Sequence, residues 1–149
     1  MVRRSLSMNE GNDSMSQVSH LQINVAPENI AFYKELLGEL GWETYHDDPA
    51  MFGAGGKNGA SLWFSGSSNG AVNDYDGVGT NHIGLGVDSQ ADVDSAAAYL
   101  QGKDVELLFE TPRHRPEFSM GETETYYQIM FESPDKLLFE VVYMGPKQD

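Results

Sequence analysis

The segment Val18-Ser19-His20-Leu21-Gln22-Ile23-Asn24-Val25 alternates polar and apolar residues, and Asn81-His82-Ile83-Gly84-Leu85-Gly86-Val87 repeats the pattern further along. A period of two predicts a half-buried strand at each place. Leu21, Ile23 and Val25 form one face of the first, with His20, Gln22 and Asn24 on the other. In the second, Ile83, Leu85 and Val87 oppose His82, Gly84 and Gly86. Each strand thus carries a histidine at the same point, on the face away from its aliphatic row.

Each strand leads into a helical pattern. After the first, Ile30, Tyr33, Leu36, Leu37 and Leu40 make a single stripe, with Pro27 suited to an opening turn and Gly41 to an end. After the second, Ser89 is a candidate N-cap and Val93, Ala96, Ala97 and Leu100 form the stripe. Three strands are expected behind the first helix, at 42–46, 51–54 and 60–65. Three more are expected behind the second, at 105–109, 126–131 and 137–144, with a long loop over 110–125. The order is strand-helix-strand-strand-strand, twice, and each half supports the reading of the other. The expected fold is α+β: two βαβββ modules, residues 18–65 and 80–145, in pseudo-twofold arrangement around a barrel-like cleft. A Gly-, Ser- and Asn-rich linker, 66–79, joins them. Residues 1–17 lack a hydrophobic period and read as a disordered tail, in which Met8 and Met15 are alternative starts. The acceptor pattern Asn12-Asp13-Ser14 carries no weight without a secretory signal.

Composition narrows the partners. The chain has 149 residues, 40% of them hydrophobic, enough for a packed interior. No apolar run approaches the roughly 20 residues that span a bilayer, and no secretory signal is visible. Cysteine is absent, so disulfides and thiolate chemistry play no part. A cytoplasmic protein is expected. Its net charge of −14, from 23 Asp+Glu against 9 Lys+Arg, repels phosphate backbones and anionic lipids. The expected partner is a small molecule, not nucleic acid or membrane.

The chemistry centres on Leu137-Leu138-Phe139-Glu140-Val141-Val142. A carboxylate inside an apolar strand is costly to bury unpaired, and a cation held by two imidazoles is one partner it could have. The alternative for His20 and His82 is a pair of locally hydrogen-bonded histidines, which would hold for a lone histidine. Imidazole with carboxylate suits a divalent Zn, Mn, Fe, Ni or Co ion.

These segments resemble the vicinal-oxygen-chelate superfamily, which includes glyoxalase I, extradiol dioxygenases, fosfomycin-resistance transferases and bleomycin-binding proteins. The likeness spans about 18–144. It rests on Val18-Ser19-His20-Leu21 leading into Ile30-Ala31-Phe32-Tyr33-Lys34-Glu35-Leu36-Leu37-Gly38, on Thr80-Asn81-His82-Ile83-Gly84-Leu85, and on Phe131-Glu132-Ser133-Pro134-Asp135-Lys136-Leu137-Leu138-Phe139-Glu140. Ser133 and Lys136 stand where the family usually has Asp and Gly.

The resemblance implies that His20, His82 and Glu140 bind the metal, leaving coordination sites for a bidentate oxygen substrate or O₂. It also implies that glyoxalase I would have a fourth ligand, a Glu, at the position matched here to Ser61, so lactoylglutathione chemistry is not expected. Gln22, Asn24, Trp63, Tyr126, Gln128 and Met130 share the cleft face by alternation and are candidates for substrate contact. No general base can be named. His46 and His114 read as surface residues. Arg113 and Arg115 flank His114 and are candidates to meet an anionic substrate group, but the reading preferred for them is a solvated loop. Gly53-Ala54-Gly55-Gly56 is not a phosphate loop, since no Lys-Ser/Thr and helix follow it.

The expected function is that of a metal-dependent glyoxalase- or dioxygenase-like enzyme, a lyase or oxidoreductase, acting on a small molecule with vicinal oxygens. The alternative is a drug-binding resistance protein, which the histidine-carboxylate set disfavours. A fosfomycin-type transferase would want a cationic cluster. A homodimer is expected, from an exposed sheet edge and apolar outer helix faces, with modules paired within a chain or exchanged between two.

Overall fold

The computed structural model describes residues 13–149. Most of the expected tail, with Met8 and Asn12, lies outside the described residues, and 13–17 carry no helix or strand. The other described residues form two four-stranded sheets, two α-helices and two short 3-10 turns. The first half holds β1 (His20–Asn24), α1 (Ile30–Glu39), β2 (Glu43–Asp48), β3 (Met51–Gly55) and β4 (Ser61–Ser65), with strand order β1-β4-β3-β2. The second holds β5 (Ile83–Gly86), α2 (Gln90–Gly102), β6 (Arg113–His114), β7 (Glu124–Glu132) and β8 (Leu138–Pro146), in the order β5-β8-β7-β6. In each sheet the first strand lies parallel to the last and the remaining pairs are antiparallel. A parallel pair needs a crossover, and α1 and α2 supply it. The repeat of one topology is the pseudo-symmetry that the two alternating strands predicted.

Ser89 caps α2 as expected, its Oγ accepting from the Asp92 amide at 3.0 Å. Gly41 ends α1 at φ 80°, where its amide donates to Gly38 O at 3.0 Å. The helix stripes are buried as read at Ile30, Tyr33, Leu36 and Leu37 on α1 and at Val93, Ala96, Ala97 and Leu100 on α2, while Leu40, just past the end of α1, is half-buried.

Both stripes enter one interior, together with Leu62, Phe64, Leu85, Ile129, Phe131, Phe139 and Val141 from the two sheets. Tyr33 lies at its centre. Its ring stacks on Phe64 at 4.3 Å and sits 6.1 Å from Phe139. Its hydroxyl donates to Asp135 Oδ2 at 2.6 Å and lies 2.9 Å from Ser133 Oγ. Burial, then the bond to Asp135, keeps this phenol protonated far above its usual range. Asp135 Oδ1 also accepts from the Ala26 amide at 2.9 Å and from Asn29 Nδ2 at 3.1 Å. Thus the closing turn of the second half grips the start of α1. With aliphatic and aromatic residues turned inward, alternation sends His20 and Trp63 from one sheet, and His82 and Glu140 from the other, to the faces away from this shared core.

Several expectations change. Among the described residues the sheets stay separate and do not close into a barrel. The expected strand at 105–109 is absent: it makes one isolated bridge, Leu107 to Phe131, because Phe109 and Glu110 take φ of 57° and 59° and turn the chain away. The edge strand β6 lies instead inside the expected loop. The linker is tied to the second sheet by Asn73 Nδ2 to Lys136 O at 2.8 Å and by the Tyr75 hydroxyl to Glu132. The apolar helix stripes are consumed within the chain, so they cannot favour a partner. Among the exposed apolar residues are Leu21 on the β1 edge, 43% accessible, and Val18 just before it, 65% accessible. No helix of the described residues is long and apolar enough to cross a membrane.

Lys136 occupies the left-handed region at φ 57°. Left-handed backbone costs a non-glycine residue about 1–2 kcal/mol, partly offset by the greater entropy that glycine loses on folding. Lys136→Gly should therefore stabilise the chain by roughly 0.5–1 kcal/mol in urea denaturation. A loss of stability would mean that the lysine side chain supplies more than the strain removes.

Candidate metal centre

Phe139 and Val141 are fully buried in the core, and Glu140 between them points to the opposite face, where it is 4% exposed. Opposite Glu140 in β5 stands Gly84, and a Cβ there would lie 3.2 Å from Glu140 Oε1. The glycine therefore leaves room for the carboxylate. Tyr126, on β7, donates its hydroxyl to Glu140 Oε1 at 2.8 Å and Oε2 at 2.9 Å. Gln128 donates its amide to Oε2. Burial, then the Glu140 carboxylate, raises the Tyr126 phenol well above its usual range, so it remains a donor.

His82 Nε2 lies 3.9 Å from Glu140 Oε1, a gap that a shared cation with ligand bonds of about 2.0–2.2 Å can bridge. His82 Nδ1 meets Asn81 Oδ1 at 2.7 Å. Since that amide oxygen can only accept, Nδ1 carries the proton and the Nε2 lone pair is left for a ligand bond. In the other half, Ser19 Oγ lies 3.1 Å from His20 Nδ1. Thus each histidine is preceded by a residue that engages the same ring nitrogen.

His82, Tyr126, Gln128, Met130 and Glu140 line a cleft of about 490 Å³, walled further by Tyr75, Asp76, Asn81, Phe109, Arg115, Phe118 and Leu138. His20 is not part of it. It stands exposed on the first sheet with Gln22 and Asn24, while Trp63 is half-buried there, its Nε1 donating to Ser61 Oγ at 2.9 Å. Among the described residues, no three His, Asp or Glu side chains gather into a metal-holding group. Of the sequence-derived set, His82 and Glu140 fit two corners of a metal site, Tyr126, Gln128 and Met130 share their cleft, and His20, Gln22, Asn24 and Trp63 belong to a separate face.

The family model of the Glyoxalase/Bleomycin resistance protein/Dioxygenase superfamily matches residues 17–141. The chain belongs to this superfamily. No curated protein matches it. A provisionally assigned glyoxalase from Bacillus halodurans is 25% identical, with TM-score 0.70 over 87% of this chain and 96% of that one. A glyoxalase/dioxygenase from Nostoc punctiforme is 16% identical, with TM-score 0.64 over 99% and 100%. A glyoxalase/bleomycin resistance protein from Albidiferax ferrireducens is 18% identical, with TM-score 0.64 over 84% and 97%. The last two likenesses are of fold.

For this superfamily member the strand register corrects one correspondence. His20 pairs with Ser61, Leu21 with Leu62 and Gln22 with Trp63, while Ile83 pairs with Phe139 and Gly84 with Glu140. Setting His20 on His82 puts Leu21 on Ile83 and Gln22 on Gly84. The residue matching Glu140 is then Trp63, not Ser61. An indole is no better a ligand than a hydroxyl, so the first half still offers no carboxylate there. Gly53 stands opposite Trp63, and a Cβ on it would run into the indole ring. His46, on the surface as expected, bonds Asp48 Oδ2 through Nε2 at 2.6 Å.

Asn81, Tyr75, Phe109 and Phe118 are cleft residues beyond the sequence-derived set, and Arg115, for which a solvated loop was the preferred reading, joins them. For Asn81 the sequence held a signal: a hydrogen-bonding residue precedes the histidine in both halves. The others reach the cleft from irregular segments or the short 3-10 turn at Pro116–Phe118, where alternation gives no guide.

Proposed function

We propose that this chain is a metal-dependent enzyme acting on a small molecule with two neighbouring oxygens, the metal being held by His82 and Glu140 of one copy and His20 of a second. The observation that carries this reading is the His82–Glu140 pair, with Nε2 turned toward Oε1 at 3.9 Å and Nδ1 tied to Asn81. A second copy is invoked because the two histidine faces turn away from the common core. The β1 and β5 strands, which carry or adjoin the histidines, are edge strands. Fe, Mn, Zn, Ni and Co all suit imidazole with carboxylate. When bound, the metal would supply Lewis acidity toward an enolate, alkoxide or catecholate oxygen, or a place for O₂. Tyr126 and Gln128 hold the Glu140 carboxylate in place, and the Tyr126 oxygen, its proton given to Glu140, can accept a hydrogen bond from a ligand in the cleft.

The test is elemental analysis of protein purified without added metal, followed by screening of enediol and catechol substrates with the metal found. Near-stoichiometric metal and chelator-sensitive turnover are expected. A metal-free protein that takes up no metal and shows no activity after loading would refute the proposal. Asn81→Ala should weaken metal affinity by about 10–100-fold, as loss of outer support to a ligating histidine does, read by competition against a chelator. Little turnover of the methylglyoxal–glutathione hemithioacetal is expected, since Trp63 stands where glyoxalase I would place its extra carboxylate. Robust isomerisation of that substrate would contradict this.

One observation favours a second reading, a non-catalytic protein that binds a drug-like ligand. Both Glu140 oxygens already accept hydrogen bonds from Tyr126 and Gln128, so the burial of this carboxylate does not by itself demand a cation. Ligand binding that is indifferent to a chelator, with no turnover, would decide for that reading.

A further inference from the structure

The segment expected to be a solvated loop carries two cations to the cleft face. Arg113 pairs with Gln128 and His114 with Tyr127, and the Arg115 amide donates to Tyr126 O at 2.7 Å. Directly opposed residues in a sheet share a face, so Arg113 and Arg115 stand on the side of Gln128 and Tyr126. His114 takes the other side, its ring 4.7 Å from Tyr127. Arg115 lines the cleft, and Arg113 stands on the same sheet face just outside the lining.

Arg115 is held in place. Its Cζ lies 4.7 Å from the centre of the Phe118 ring, Nη1 donates to Gln128 Oε1 at 3.0 Å, and Nε donates to Glu117 Oε1 at 2.6 Å. A guanidinium has five N–H donors. Two are used here, and the remaining three have no protein acceptor among the described residues. Arg113 Nε is likewise buried without a hydrogen-bond partner, and Nη1 lies 3.6 Å from Glu110 Oε2. Phe109 and Phe118, 52% and 54% exposed, give the same cleft an aromatic rim.

We infer that the ligand of this cleft carries a carboxylate, received by Arg115 and supported by Arg113, with its oxygen pair directed toward His82 and Glu140. The last clause rests on the function proposed above; the carboxylate does not. The planar fork of Arg115 matches a carboxylate in a two-point contact. A dianionic phosphate or phosphonate is the poorer match, because Asp76 and Glu140 line the cleft and Glu110 and Glu117 flank the arginines, so each added negative charge meets repulsion.

The test is isothermal titration of the full chain with 3,4-dihydroxybenzoate, its methyl ester and phenylphosphonate, first with a chelator and then with Mn²⁺. The acid should bind about tenfold or more tightly than the ester, a difference of about 1.4 kcal/mol, with and without metal. Arg115→Gln should bring the ratio near one by weakening the acid far more than the ester, and Arg115→Lys should fall between. That pattern separates a lost carboxylate contact from a collapsed cleft, which would weaken acid and ester alike. Equal binding of acid and ester by the wild-type chain, no binding of either, or equal loss of both in Arg115→Gln would overturn the inference. So would tighter binding of phenylphosphonate. A ratio that holds while Mn²⁺ changes nothing would count against the proposed metal enzyme and in favour of the carboxylate.

Discussion

Glu140→Ala is expected to remove bound metal almost entirely and to lower stability by about 2–4 kcal/mol. The metal loss follows from deleting the carboxylate that faces His82 Nε2 at 3.9 Å. The stability loss has a separate cause. Gln128 is 2% exposed and gives its amide to Glu140, and the Tyr126 hydroxyl spans both carboxylate oxygens. Each buried donor left without an acceptor costs about 1–3 kcal/mol. Glu140→Gln keeps the volume and an acceptor oxygen, so it should lose metal with a smaller fall in stability. Elemental analysis and urea denaturation of both variants separate the two effects. A Glu140→Ala chain that kept stoichiometric metal would remove Glu140 from the site.

Tyr33→Ala should be the most destabilising single change in the first half, by about 4–5 kcal/mol in urea denaturation. Truncating a large aromatic in a core costs about 3–5 kcal/mol through lost burial and the cavity left behind. Here the hydroxyl also joins Ser133 and Asp135, residues of the opposite half. Tyr33→Phe isolates that second part and should cost about 1–2 kcal/mol. If Tyr33→Ala unfolded only the first half, leaving the second with its own undiminished transition, the single shared interior would be the wrong description.

The repeat and both helices could be read from the sequence because they follow from local periodicity, whereas the pairing of His82 with Glu140 was implied by the resemblance to the superfamily. The match of Ser61 to Glu140 failed for a traceable reason. Aligning the halves by their ends ignores the register, whereas the apolar rows give it: Leu62 and Phe64 correspond to Phe139 and Val141, so Trp63 corresponds to Glu140. The two-residue strand β6 had no signal, since Arg113 and His114 are too few to show alternation. The separation of His20 from His82 was not legible either. It depends on both helices packing into one interior, with Tyr33 reaching Phe139 and Asp135 across the halves. No pattern within either half specifies such a contact. The cleft role of Arg115 depends in turn on pairing with Tyr126, a long-range contact across the expected loop.

The most direct measurement mixes His20→Ala chains with Glu140→Ala chains, lets subunits exchange, and assays bound metal. Each variant alone lacks a ligand in every site. If a site takes His20 from one copy and His82 with Glu140 from another, a mixed dimer has one intact site. With random pairing, about a quarter of all sites should then regain metal. No recovery of metal after verified subunit exchange, or a chain that stays monomeric at micromolar concentration while binding metal stoichiometrically, would contradict a site shared between copies.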